Sequence, residues 1–158
     1  MRVGQGFTLI ELIVTIAVFA IIAVIAAPSM GKILLKQNLN KSTRELVTVL
    51  NQGRAKAALE RKKITIKLNT TNIADTDVSI NDTTSTNFTT LNWMPSGKTV
   101  LKAGSPTSIT FLPTGLVDGW ASTNSSFTVC EQNSGSLSKT VSISKMGTIQ
   151  HVVEGTCS

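Results

Sequence analysis

Tyrosine is absent, histidine occurs once, cysteine twice and proline four times in 158 residues, and aromatics make up only 4%. So few rings leave little stacking surface for single-stranded nucleic acid. The single His151 has no acidic neighbour at a telling spacing and reads as a satisfied surface or strand residue. No phosphate-binding glycine motif, metal-ligand spacing or nucleophile elbow is present. No enzyme can be assembled from these residues, and neither a cofactor nor a metal is expected. Charge is unbalanced, at a formal +6, which permits acidic partners without naming one.

What the chain does have is one long apolar run. Gly6-Phe7-Thr8-Leu9-Ile10-Glu11 leads without a break into Leu12 to Ala27, and Glu11 is the run's only charge. As a helix, Phe7 to Ala27 would extend about 31 Å, the thickness of a bilayer's hydrocarbon core. A carboxylate in such a segment costs about 2.5 to 3.5 kcal/mol at the centre and less near an end. Glu11 therefore either snorkels to the interface or is held for a positive charge brought by another chain.

A short leader ending in Gly6, then Phe7, a Glu at the fifth place after the junction, and only hydrophobics beyond resemble the prepilin signature of type IV pilins and type II secretion pseudopilins. An ordinary secretory signal accounts poorly for this stretch: Arg2 alone is basic, Glu11 interrupts the early apolar run, and Pro28 follows the candidate small-residue site. The resemblance implies that a prepilin peptidase cuts after Gly6 and methylates the new amine of Phe7. It also implies that Glu11 meets the N-terminal amine of a neighbouring subunit. Lys32, Lys36 and Lys41 after the run would by themselves orient the chain the other way. The resemblance places the junction on the cytoplasmic side of the bacterial inner membrane and the rest in the periplasm, later at the cell surface.

Beyond the run, roughly 130 residues remain, enough for one small domain. Pro28 should kink the helix rather than end it. Leu35, Leu39, Leu46, Leu50 and Ala57 recur on one helical face, while Lys36, Lys41, Arg44 and Arg54 fall elsewhere. The helix is thus expected from Phe7 to about Lys62, its second half laid on a sheet, with Gly53 allowing close approach. Arg61-Lys62-Lys63 would complement the dipole at its C-terminus. Alternation predicts strands at Ile64–Leu68, Leu91–Met94, Thr99–Leu101, Ser108–Leu112, Phe127–Cys130, Thr140–Ser144 and Thr148–Val153. Asn69 to Leu91 reads as loop with a weak strand near Val78 and Ile80. Trp93 and Trp120 are expected to pack in the core or at its rim.

Cys130 and Cys157 lie on the side of the run where the medium would be oxidising, so a disulfide between them is expected. Closing a loop of about 28 residues, it would contribute about 3.6 kcal/mol on the chain-entropy model.

The run Gly53-Arg54-Ala55-Lys56-Ala57-Ala58 before the first strand, and Phe111-Leu112-Pro113-Thr114-Gly115 after a later one, resemble the subgroup of FimU/FimT-type minor pilins and the GspH pseudopilin. Lys56 stands where that subgroup carries an acid. Some FimT-like pilins bind DNA through a Gly-Arg-x-Arg turn; here the stretch is Gly147-Thr148-Ile149-Gln150, without either arginine. With only Lys139 and Lys145 nearby, nucleic acid is at most a weak partner. The reading is an α+β type IV pilin fold: leader 1–6, transmembrane assembly helix 7–28, amphipathic half 29–62 and β-rich head 63–158. The partners expected are the peptidase, the inner membrane and other major and minor pilins. The resemblance implies a minor pilin that helps to initiate or tip a type IV pilus, and so serves twitching motility, adhesion or DNA uptake; a type II secretion pseudopilin is the alternative, and a DNA-binding competence pilin a further one.

Overall fold

In the computed structural model, which describes residues 7–69 and 89–157 apart from the side chains of 25–29 and 124, helix α1 runs from Leu9 to Glu60. It continues through Pro28 and Gly31 and stops two residues before the expected Lys62. The backbone gives the reason: Arg61 sits at φ 53°, a left-handed position that ends a helix. The three cations therefore follow the helix and do not occupy its last turn. Lys63 pairs with Asp118 at 2.9 Å.

The chain divides into two compact units, one reaching to Leu34 and the other starting at Leu35. In the first, large apolar side chains including Leu9, Ile10, Ile13, Val14, Phe19 and Ile21 are exposed round the whole girth of the helix. Among the described residues no helix is long and apolar enough to cross a membrane. The span expected over 7–27 includes side chains outside that description and is not shown.

The second unit carries seven strands among the described residues: β1 (Ile64–Leu68), β2 (Thr90–Trp93), β3 (Val100–Leu101), β4 (Ser108–Phe111), β5 (Ser126–Cys130), β6 (Ser138–Ile143) and β7 (Ile149–Gly155). They form two sheets, ordered β2-β1-β4 and β3-β5-β6-β7. All pairs are antiparallel except β1 with β2, where Ile66 stands beside Leu91 in parallel register. Among the described residues the head is thus antiparallel-rich, with one parallel pair. Parallel neighbours need a crossover of a dozen residues or more, and the long stretch between Leu68 and Thr90 supplies it. The weak strand expected near Val78 and Ile80 lies outside the described residues.

One core joins both sheets to α1. Leu39, Leu46, Leu50 and Ala57 are buried with Ile64, Ile66 and Phe111 of the first sheet and Phe127, Val129, Val141 and Ile143 of the second. The face predicted from periodicity is therefore the buried one, with Leu35 half-buried at its start. Full burial of each such side chain contributes about 1.5 to 3 kcal/mol. Polar bonds then fix the helix against the strands. Trp93, buried, donates its indole N–H to the Ser42 carbonyl at 3.1 Å, and the Ser42 hydroxyl accepts from the Ser96 amide at 2.8 Å. Trp120 stays at the rim, donating to the Ile143 carbonyl at 3.3 Å.

Candidate assembly site

The helix N-terminus is built by Thr8. Its hydroxyl accepts from the Glu11 amide at 3.3 Å, and its carbonyl accepts from the amides of Glu11 and Leu12 at 3.1 and 3.2 Å. Thr8 is thus the N-cap, and Thr8-Leu9-Ile10-Glu11 has the spacing of a capping box. That spacing is legible in the sequence. Glu11 occupies the first turn, where the helix dipole favours an anion, and its side chain is exposed. Phe7, directly before the cap, is 83% exposed. Phe7 and Glu11 are so placed at one tip, four residues apart, on a helix whose apolar surface is exposed on every side. A helix apolar all round requires burial in lipid or among other helices. Gly6 lies outside the described residues.

In the second unit Cys130 and Cys157 form a disulfide, their Cα atoms 5.9 Å apart. The bond joins the end of β5 to the residues just past β7. Beside it sits a buried group that sequence reasoning missed. Glu131, 7% exposed, accepts from the Ser136 amide and hydroxyl at 2.9 and 3.1 Å and from the Leu137 amide at 3.2 Å. A carboxylate thereby organises the whole β5–β6 turn, since each of its bonds is charge-assisted. The left-handed residue in this turn is Ser134, at φ 55°, and Gly135 is needed because a Cβ would stand 2.7 Å from Glu131 Cγ. No local pattern in the sequence marks the arrangement.

The remaining candidates stay apart from any chemistry. His151 is exposed on β7 opposite Ser142. No cluster of metal-ligating side chains occurs among the described residues. The turn before β7 places Gly147 at φ 73°, with the Ser144 hydroxyl accepting from the Thr148 amide at 3.2 Å. Of the two lysines near it, Lys139 is engaged by Glu154 at 3.1 Å, so Lys145 alone stays exposed for a phosphate.

A family model described as type II transport protein GspH matches residues 42–147, about two thirds of the chain, which takes in the C-terminal part of α1 and the strands through β6. The chain belongs to the GspH family. A second model, the prokaryotic N-terminal methylation motif, matches residues 1–27 of this GspH-family protein and covers the whole helix tip. No curated protein and no solved structure matches it. The fold is the α+β, pilin-like one, and the protein is a pilin-like subunit from families of structural subunits. The methylation motif implies processing by a prepilin peptidase and assembly with other pilin-like subunits.

Proposed function

We propose that this GspH-family protein is a minor pilin of the FimU/FimT type in a type IV pilus, acting in the complex that initiates or tips the filament. The observation that carries the reading is the helix tip: an exposed apolar helix, capped by Thr8, that opens on Phe7 and Glu11 within a methylation motif. In this reading residues 1–6 are the leader, cut after Gly6. Phe7 is then N-methylated, and 7–28 enters the inner membrane and afterwards the helix bundle of the filament. Glu11 neutralises the amine of a neighbour's first residue, and the part from 29 onward, with the head 63–158 outside the membrane, selects which subunits fit. Twitching motility, adhesion or DNA uptake would follow from assembly and not from catalysis.

A second reading, a pseudopilin of a type II secretion system, is favoured by the description of the matching family itself. The disulfide-closed loop Cys130 to Cys157 weighs the other way, as a pilin habit. One experiment separates them: pili sheared from cells lacking the gene, together with enzymes secreted by the same cells. Loss of pili with normal secretion supports the first reading. Normal pili with failed secretion overturns it in favour of the second. Rescue copies carrying Glu11→Val and Glu11→Gln refine the role of Glu11. Gln keeps the third position of a capping box competent but removes the charge. If both variants fail while the intact copy restores assembly, the charge is required; if Gln rescues, Glu11 serves the cap.

A further inference from the structure

Strand β7 is the last in the order β3-β5-β6-β7, so among the described residues one side of its backbone has no strand beside it. Edges of this kind are commonly short, charged or covered, because free amides and carbonyls recruit other chains. β7 is seven residues long and leaves Val152 and Val153 46% and 55% exposed. Its register with β6 sets Val152 against buried Val141 and Glu154 against Lys139. Val152 and Glu154 thus turn to the side on which the core lies. Helix α1 does not close over them. A groove of about 700 Å³ remains there, lined on the helix by Lys36, Arg44 and Val47 and on the sheet by Lys139, Val152 and Glu154. Lys139 and Glu154 neutralise each other at 3.1 Å. Lys36 and Arg44 are exposed and have no anionic partner among the described residues. The groove therefore sets Val47, Val152 and the mutually paired Lys139 and Glu154 beneath two exposed cations, with Asn40, Thr43 and Thr48 as neutral polar lining, beside a strand edge that is free among the described residues.

We propose that this groove receives an acidic β-strand from a neighbouring pilin-like subunit, hydrogen-bonded along the free edge of β7 with its carboxylates against Lys36 and Arg44. The inference rests on the assembly reading above. A strand added to β7 lies about 4.8 Å beyond it and turns every second side chain toward α1. Apolar residues then cover Val47 and Val152, and acidic ones meet the two cations. The edge amides provide affinity, and the alternate side chains provide selection. Nucleic acid suits the groove less, since among the described residues no aromatic lines it.

The test uses the full chain in its native cells, with the photoreactive residue p-benzoylphenylalanine in place of Val152 and, as a control, in place of exposed Met146. Irradiation at position 152 should give an adduct whose sequenced peptide is an acidic strand of a subunit bearing its own prepilin leader. Charge reversal by Lys36→Glu with Arg44→Glu should lower its yield about fivefold, since the pairs set encounter and orientation. Lys36→Gln with Arg44→Gln provides the same comparison should the reversed charges disturb folding. An adduct with nucleic acid or lipid, one with a segment poor in acids, one within the same chain only, an equal yield at Met146, an unchanged yield in both charge variants, or no adduct overturns the proposal. Pili and secretion scored in the gene deletion keep the two failures apart. A clear assembly defect without the adduct removes the groove and leaves the assembly reading. Normal pili and normal secretion remove the assembly reading itself.

Discussion

Gly53 lies where α1 meets β1 and β4, and a Cβ on it would stand 2.6 Å from Ile66 Cδ1 and 3.4 Å from Phe111 Cδ2. Two effects of Gly53→Ala oppose each other. Helix propensity improves by about 1 kcal/mol, while forcing a methyl into a filled core costs about 1 to 3 kcal/mol. Ile66 and Phe111 are fully buried and have little room to yield, so packing wins. The variant should be less stable by about 1 kcal/mol, read as a lower urea midpoint at unchanged slope. An equal or higher midpoint would mean that Ile66 repacks freely. Glu131 offers the complementary case. Glu131→Gln keeps the shape but offers a neutral acceptor to the Ser136 and Leu137 groups, and should cost about 1 to 2 kcal/mol. Hydrogen exchange should show the Ser136 and Leu137 amides opening first.

At the scale of elements, the end of α1 is set by one unfavoured conformation. Arg61 adopts the left-handed backbone that glycine takes without steric cost. Arg61→Gly should therefore raise stability by about 1 kcal/mol, visible as a rise of a few degrees in Tm. Arg61→Val should lower it. A stronger effect belongs to the covalent link across the second sheet. Replacing both cysteines by serine should cost about 3 to 4 kcal/mol for a separation of 27 residues, with the amides of β7 losing protection before those of β5. The elements most legible in the sequence were those governed by local repetition. The apolar face of α1 followed from a 3.6-residue period, and most strands from alternation, because both patterns lie within one element. Parallel pairing of β1 with β2 was not legible, since a strand's partner depends on contacts distant in the chain. The Glu131 turn was equally hidden. Its acid and its donors carry no periodic mark, and only the folded loop brings them together.

For the whole molecule, the division at Leu34 and Leu35 has a direct consequence for folding. Among the described residues, every buried member of the hydrophobic core falls between Leu39 and Ile143, with half-buried Ile149 packed against it. A fragment from Leu35 to Ser158 should therefore fold by itself and unfold in one transition, monitored by circular dichroism, and stay dispersed without detergent. The full chain, with its apolar helix surface exposed, should need detergent or lipid to do so. A fragment that melts without cooperativity would show that residues before Leu35 contribute to the core. The candidate site was legible in part: Glu11 stood out as the only charge of the apolar run and Phe7 through the resemblance to prepilins, whereas the cap made by Thr8 was present as a motif and needed geometry to gain meaning.

The disulfide closes Cys130 to Cys157 into a covalent ring that contains both β6 and β7. Tension applied to β7 from outside would ordinarily peel it from β6 one hydrogen bond at a time, the weakest way to load a sheet. Here the pull passes at once through sulfur into β5, which lies inside the sheet and is anchored in the core by Phe127 and Val129. The exposed edge is in this way covalently tied to a strand inside the sheet.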